Sequence, residues 1–352
     1  MFAFPFPCLV QPPGIGITGM GSDSPLYLVS VPRSGATLLG AMLNSHNSIA
    51  MFNEPWFFYM LPKFESLCLQ GRVESMVDYL IKGAERFGVI LDCEFKKHVL
   101  TDINKPGVSE PADVLELFMK RYAKYMGKHR WGVKQPFGIF YVPRLLDRFP
   151  DLKIIHIVRD PRATVAQRMN KELNRKEDLV NTLRFSRSCS KMMSYAHRLM
   201  NLCTENYFEL RYEDLVVSPE DCLMRICDFL KEDYDPGMLE YHKAKNPYVP
   251  REEDGSPKKS HLEILMPLNA GYIDLWKTLL TMRETAIVER ICLQAMVPRG
   301  YHPITSGHEI GNILYLKTSI RFLWTQAEVL VRHGSFERML YKYRNDLVLY
   351  HN

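Results

Sequence analysis

The sequence has no C-x-x-C pair. Its eight cysteines, at 8, 68, 93, 189, 203, 222, 227 and 292, are scattered along 352 residues. That scatter argues against a thiolate metal cluster and against a disulfide framework, so the expectation is reduced thiols in a cytoplasmic protein. The opening stretch MFAFPFPCLVQPPGIGITGMG carries no lysine or arginine and is interrupted by prolines. It reads as neither a secretory signal nor a membrane span, and residues 1–24 are expected to be a loosely ordered leader. There is no internal repeat and no low-complexity segment. The net charge is only +5. That lacks the strong, clustered basic excess of a dedicated nucleic-acid binder, yet it suits an anionic ligand. What is there is 46% hydrophobic and 24% charged, the balance of a soluble globular protein. The length allows one large α/β domain or two ordinary ones.

The most informative stretch is Leu26 to Leu43, LYLVSVPRSGATLLGAML. Leu26 to Val31 is a short apolar run, expected to form a buried parallel strand. Pro32 has no N–H to give a ladder and ends it. Arg33-Ser34-Gly35-Ala36-Thr37 makes a tight turn, with Gly35 at the position that needs an unusual backbone angle. Leu38, Leu39, Ala41, Met42 and Leu43 follow at helical spacing. A strand, a small-residue turn and a helix start together form an anion site, because the first helical N–H groups have no intrahelical partner. Ser34 and Thr37 add hydroxyls and Arg33 a fork of donors suited to phosphate. This is not a Walker A loop, since no lysine follows the glycine.

Further along, Ile49 to Phe52 is a second short strand, ending in Asn53-Glu54-Pro55. Residues 56–130 are mostly helical in pattern and are expected to be an insertion between core strands, opening on Trp56, Phe57, Phe58, Tyr59 and Met60. Arg130 to Pro136 and Leu152 to Val158 are further strands, the second running into Arg159-Asp160-Pro161-Arg162. Short helices are expected over 141–149 and 163–172, and a long one over 177–205. Tyr207 to Tyr212 is the next strand, followed by a Glu213-Asp214 turn, and Ser218-Pro219 is expected to start a helix by capping. Residues 244–261 read as a loop, Trp276 sits in a further helix, and the tail from Ile310 reads as two amphipathic helices. The first of these should bury Leu314, Leu316, Ile320, Leu323 and Trp324. Alternating strands and helices imply a parallel sheet with its ligands at the carboxyl ends of the strands, where every polar cluster named above falls.

The loop at 32–38 resembles the 5′-phosphosulfate-binding loop of sulfotransferases, enzymes that use 3′-phosphoadenosine 5′-phosphosulfate (PAPS). Matching stretches extend to Trp276, and the subgroup most resembled is that of tyrosylprotein sulfotransferases and related bacterial enzymes. Glu54 stands 21 positions after Arg33, the spacing of that subgroup's catalytic glutamate. Trp131 to Pro136 is similar to the family's W-G-x-K-x-P, which implies that Lys134 stabilises charge on the leaving phosphate. Val158-Arg159-Asp160-Pro161-Arg162-Ala163 is similar to the 3′-phosphate segment. Arg159 takes the arginine's place there, Gln167 stands where the family has serine, and Lys171 is a further basic contact. Leu210 to Leu215 resembles the R-Y-E-D-L strand, whose tyrosine, here Tyr212, holds nucleotide. In the last stretch Ser260, Pro267, Asn269 and Trp276 match, and the serine donates to the sulfuryl group. Two of the family's lysines are Met266 and Leu275 here, with Lys258 and Lys259 as substitutes nearby.

The resemblance implies a P-loop-like parallel sheet flanked by helices, taken to span 25–304, and the pattern of the tail adds a helical C-terminal extension over 305–352. It implies in-line transfer of a sulfuryl group from PAPS to an acceptor hydroxyl, with adenosine 3′,5′-bisphosphate leaving. Glu54 is then the base, and Arg33, Lys134 and Ser260 stabilise charge. The cofactor contacts are Arg33, Ser34, Gly35, Ala36, Thr37, Leu38, Arg159, Gln167, Lys171, Tyr212 and Lys259. No metal is required, because the cations are side chains. The acceptor stays open among a peptide tyrosine, a sugar, a lipid-like or polyketide alcohol and a small metabolite. Two rivals stand beside this reading: a non-catalytic nucleotide-binding or scaffold protein of the same fold, and a P-loop kinase.

Overall fold

The computed structural model describes residues 24–332, apart from 56, 58, 59, 106, 107, 109, 173–176, 245–248, 250 and 253. The side chains at 62, 171, 172, 259–261 and 326–332 also lie outside the description. Leu26–Ser30 forms strand β1, buried at every position, as an apolar run covered on both faces must be. Helix α1 (Ala36–Ser45) follows the turn, then strand β2 (Ile49–Asn53). Among the described residues four helices separate β2 from β3, as the pattern over 56–130 predicts. They are α2 (Leu61–Leu69), α3 (Glu74–Glu85), α4 (Cys93–Ile103) and α5 (Pro111–Tyr125). Strand β3 (Arg130–Pro136), helix α6 (Val142–Arg148) and strand β4 (Lys153–Val158) come next. Helices α7 (Pro161–Glu172) and α8 (Leu179–Leu202) then lead to strand β5 (Tyr207–Arg211).

The five strands are parallel, in the order β2-β3-β1-β4-β5. Side chains alternate between two buried faces. Leu26, Leu28, Ile49, Met51, Ile155, Ile157 and Leu210 pack under α1 and the helices after β5. Tyr27, Val29, Ala50, Phe52, Trp131, Val133 and Ile154 pack under the insertion helices and α7 and α8. At the sheet's amino end the fully buried Arg130 donates to the Glu232 carboxylate and to the carbonyls of Ser24 and Leu230, so it ties elements together far from the strand ends.

After β5 the structure departs from the expected turn at Glu213-Asp214. The chain goes straight into helix α9 (Tyr212–Val217), because two acidic residues in a first turn favour a helix start. Helix α10 (Pro219–Leu230) begins at Pro219 as expected, but Ser218 makes no side-chain cap bond. Helix α11 (Trp276–Leu279) is a single turn holding Trp276. Helix α12 (Met282–Met296) follows; in its capping box Thr281 Oγ1 accepts from Glu284 N at 3.2 Å and Glu284 Oε2 from Thr281 N at 2.8 Å.

The described part of the tail is one helix, α13 (Asn312–Arg332); residues 333–352 lie outside the described residues. Of the expected stripe only Leu314 packs against the body. Leu316, Ile320, Leu323 and Trp324 are exposed, Trp324 at 73%. The face that docks carries Leu314, Tyr315, Thr318 and Phe322. The aromatic residues decide the side: Arg187 lies over Phe322 at 4.7 Å and Arg290 over Tyr315 at 4.1 Å. Among the described residues no helix is long and apolar enough to cross a membrane.

Candidate active site

The turn after β1 is strained in the way its sequence suggests. Arg33 has φ 73° and Gly35 has φ 94°, both left-handed. Ser34 N donates to Val31 O at 3.2 Å and closes the turn. Glycine is required at 35 twice over: for its φ, and because a Cβ there would sit 2.4 Å from Cδ2 of the Tyr212 ring. Gly35 caps α1, and the helix's first N–H groups are left at the mouth of a cavity of 340 Å³, within the usual range of ligand sites.

Strand order sets what stands beside that turn. Lys134 lies abreast of Leu28 on one side and Asn53 on the other. The chain leaves β2 with Glu54 at φ 45°, pinned by its N–H to Lys134 O at 2.8 Å. The Lys134 ammonium donates to Glu54 Oε1, and the pair is almost wholly buried, with Lys134 1% and Glu54 4% exposed. Burial pushes the Lys134 pKa down, Glu54 opposes this, and nearby Arg33 adds to it.

At the end of β4, Arg159 bridges three segments. Its Nη1 donates to Arg33 O at 3.2 Å and its Nη2 to Tyr272 O at 2.6 Å, while its guanidinium stacks on Tyr212 at 4.2 Å. Its buried Nε has no partner among the described residues. The following turn is held by Asp160, which accepts two charge-assisted bonds from Arg162, while Arg162 also donates to Glu289 at 2.7 Å and lies over Trp276. Glu213 accepts from Asp160 N at 3.1 Å and from the Tyr301 hydroxyl at 2.6 Å. Sequence motifs gave Arg159 and Tyr212 together with their neighbours Asp160, Arg162 and Glu213; the partners Glu289 and Tyr301 come from up to 127 positions away and leave no local pattern.

Of the expected site residues, Arg33, Gly35, Ala36, Thr37, Leu38, Lys134, Arg159, Gln167 and Tyr212 all line the one cavity. Glu54 stands behind Lys134 and is not part of the lining. Ser34 is turned away: its hydroxyl faces Thr164 Oγ1 at 3.4 Å, buried beneath the turn, so its side chain is not a lining group. The side chains of Lys171, Lys259 and Ser260 lie outside the described residues. Lys258 does not line the cavity; its ammonium is 3.9 Å from Glu252. Motif reading missed Tyr241, Glu263 and Tyr272 in the opposite wall. Tyr241 donates to Met266 O at 2.8 Å and fixes that segment over the cavity.

A parallel sheet that gathers Arg33, Lys134 and Arg159 with a helix N-terminus at its carboxyl ends has the architecture of an α/β protein with an anion site. The chain belongs to the sulfotransferase family: the family model matches residues 25–236, more than half of its length. Carbohydrate sulfotransferase 2 of Homo sapiens is 23% identical over 87% of this chain and 71% of that protein. Protein-tyrosine sulfotransferase A of Caenorhabditis elegans is 23% identical over 81% of this chain and 69% of that protein. Among solved structures, the sulfotransferase domain from the Synechococcus PCC 7002 olefin synthase shares the fold with a TM-score of 0.57. It is 20% identical over 81% of this chain and 99% of that domain. The sulfotransferase domain from the curacin biosynthetic pathway has a TM-score of 0.51 at 21% identity, covering 76% of this chain and 96% of that domain.

Proposed function

We propose that this chain transfers a sulfuryl group from PAPS to an acceptor hydroxyl, with Glu54 as general base. The observation that carries this reading is the buried Glu54–Lys134 pair set beside the strained turn at 33–35, with Arg159 across the same cavity. A carboxylate and an ammonium this deep contribute little to stability and are best explained by chemistry. The residues present fit PAPS. The orphaned Nε of Arg159 offers a donor, and the close approach of Gly35 to Tyr212 shapes a slot where an added methyl would collide. The 33–38 turn, through its backbone N–H groups and Thr37, would hold the 5′-phosphosulfate, and Arg159 with Gln167 and Lys171 the 3′-phosphate. Tyr212 and Lys259 complete the nucleotide contacts. When bound, PAPS supplies an activated sulfuryl group and a phosphate leaving group.

The chain's own residues do the rest. Glu54 takes the proton of the acceptor hydroxyl as it attacks. Lys134 and Arg33 place positive charge where the phosphate gains negative charge, and Ser260 donates a hydrogen bond to the sulfuryl oxygens. The acceptor class is a hydroxyl compound; relatives named for carbohydrate and for protein tyrosine direct the first choices. The test is incubation with ³⁵S-labelled PAPS and a library of sugars, tyrosine peptides, lipid alcohols and small metabolites. Transfer to one class is expected. Tight binding of adenosine 3′,5′-bisphosphate with no transfer to any class would instead make the chain a nucleotide-binding scaffold.

A further inference from the structure

Asn53 is 3% exposed, and neither its carbonyl oxygen nor its amide nitrogen has a hydrogen-bond partner among the described residues. Burying both ends of an amide unpaired is costly, and a leucine would fill the same space without the penalty. The residue's place explains the choice of an amide. Asn53 is the last residue of β2, directly before Glu54 and abreast of Lys134 in the register. Neighbours abreast in a parallel sheet project to the same face. Gly132, two residues before Lys134, faces Met51 Sδ, two residues before Asn53, which fixes that shared face. Asn53 therefore flanks the buried ion pair on its own side of the sheet.

That pair presents a contradiction for catalysis. As the structure stands, Lys134 covers the carboxylate, and the carboxylate neutralises the ammonium. Each proposed role requires the two to part. Separation leaves a buried carboxylate without a donor and a buried ammonium short of an acceptor, and an asparagine side chain supplies one of each. An aspartate would hold the ammonium permanently, and a leucine would offer nothing.

We propose that Asn53 is the positioning residue that lets the Glu54–Lys134 pair open. Lys134 swings toward the anion in the cavity, Asn53 Oδ1 accepts from its ammonium, and Asn53 Nδ2 donates to the Glu54 carboxylate. With the ammonium gone, the Glu54 carboxylate is uncovered and free to accept the proton of the acceptor hydroxyl. The inference rests on the functional reading above, and its test separates the two.

The experiment is a double-mutant cycle read by calorimetric titration of adenosine 3′,5′-bisphosphate. Asn53→Leu is expected to weaken binding about fivefold to tenfold, because Lys134 cannot leave Glu54 without a second acceptor. In a Glu54→Gln background there is no ion pair to open, and the same change is expected to alter binding less than about twofold. Asn53→Ser, which keeps a group that both donates and accepts, should stay within about threefold of wild type. Asn53→Ala carries the expectation of Asn53→Leu should the leucine variant unfold. Equal losses in both backgrounds, or no loss in the wild-type background, overturn the role of Asn53 and leave the function standing. Failure of the wild-type protein to bind the bisphosphate overturns both.

Discussion

Glu54 and Lys134 are each explained by the other. A lysine with 1% exposure and a lowered pKa is costly to bury, and a carboxylate alone beside it would be costlier. Together they are tolerable, and they stand at the edge of the cavity that the turn opens. The base role proposed for Glu54 sets the first expectation: Glu54→Gln retains bisphosphate binding but lowers turnover about 100-fold or more. Single-turnover transfer from labelled PAPS checks it, and a variant within a few-fold of wild type would remove Glu54 from the role. Arg159 gives the second. Its guanidinium already spends Nη1 and Nη2 on the carbonyls of Arg33 and Tyr272, which leaves a buried Nε without a partner among the described residues on a side chain that lines the cavity. Arg159→Ala should weaken adenosine 3′,5′-bisphosphate at least about tenfold more than adenosine 5′-phosphate, the difference being the charge-assisted contact to the 3′-phosphate. Equal losses for the two ligands, measured by calorimetry, would make the arginine a purely structural bridge.

At the scale of elements, the β1–turn–α1 unit depends on Gly35. Gly35→Ala demands φ 94° of an alanine and drives its Cβ into the Tyr212 ring. A destabilisation of about 1–3 kcal/mol and a clear loss of bisphosphate binding are expected. Unchanged melting temperature and affinity would show that α9 yields to make room. This unit was the most legible part of the chain, because a strand, a proline, a small-residue turn and a helix follow one another without interruption. Arg159 was legible for the same reason, closing the strongly apolar β4, whereas Lys134 lies within β3, RWGVKQP, and was legible through its W-G-x-K-x-P motif. The elements that misled did so where local pattern competes with tertiary packing. The α9 helix occupies a position that reads as a turn. The α13 helix has apolar residues on two sides, and packing against Leu183, Ala286 and Ile287 together with the cation–π contacts from Arg187 and Arg290 decides which side docks.

The β4–β5 pair carries a separate titrating cluster, distinct from the turn. Tyr207 and His156 meet at 2.6 Å, and Glu209 accepts two bonds from Arg299, each 2.8 Å. Burial lowers the His156 pKa below the usual 6.5, which the Glu209 contact only partly offsets. Burial raises that of Glu209, but hydrogen bonds from His156 and Arg299 outweigh it and hold it at about 2. Both folded-state values lie below the unfolded ones, so the unfolded chain binds more protons and stability rises with pH. The histidine's contribution is lost as pH falls below about 6.5, and the glutamate's as pH falls from about 4.5 toward about 2. Melting temperatures from pH 7.5 to 5 should therefore decline, and His156→Gln should flatten that slope. An unchanged slope in the variant would place the titration elsewhere.

For the whole molecule, the candidate site is the place where distant parts of the chain meet. The strand order brings Glu54 from β2, Lys134 from β3, the turn after β1, Arg159 after β4 and Tyr212 after β5 into one row. Tyr272, from the segment ahead of α11, then closes over it through Arg159. A ligand that holds this row together is coupled to global unfolding, since none of its contacts survives in the unfolded chain. At one hundred times its Kd, such a ligand adds about 2.7 kcal/mol to stability. For a domain of this size that corresponds to a rise in melting temperature of about 4 °C. Adenosine 3′,5′-bisphosphate is expected to produce this rise. ATP with Mg²⁺ is expected to produce much less, because no lysine follows Gly35 to reach a β- or γ-phosphate. Thermal unfolding with the two ligands side by side decides the matter, and a larger shift with ATP and Mg²⁺ would turn the assignment toward a kinase.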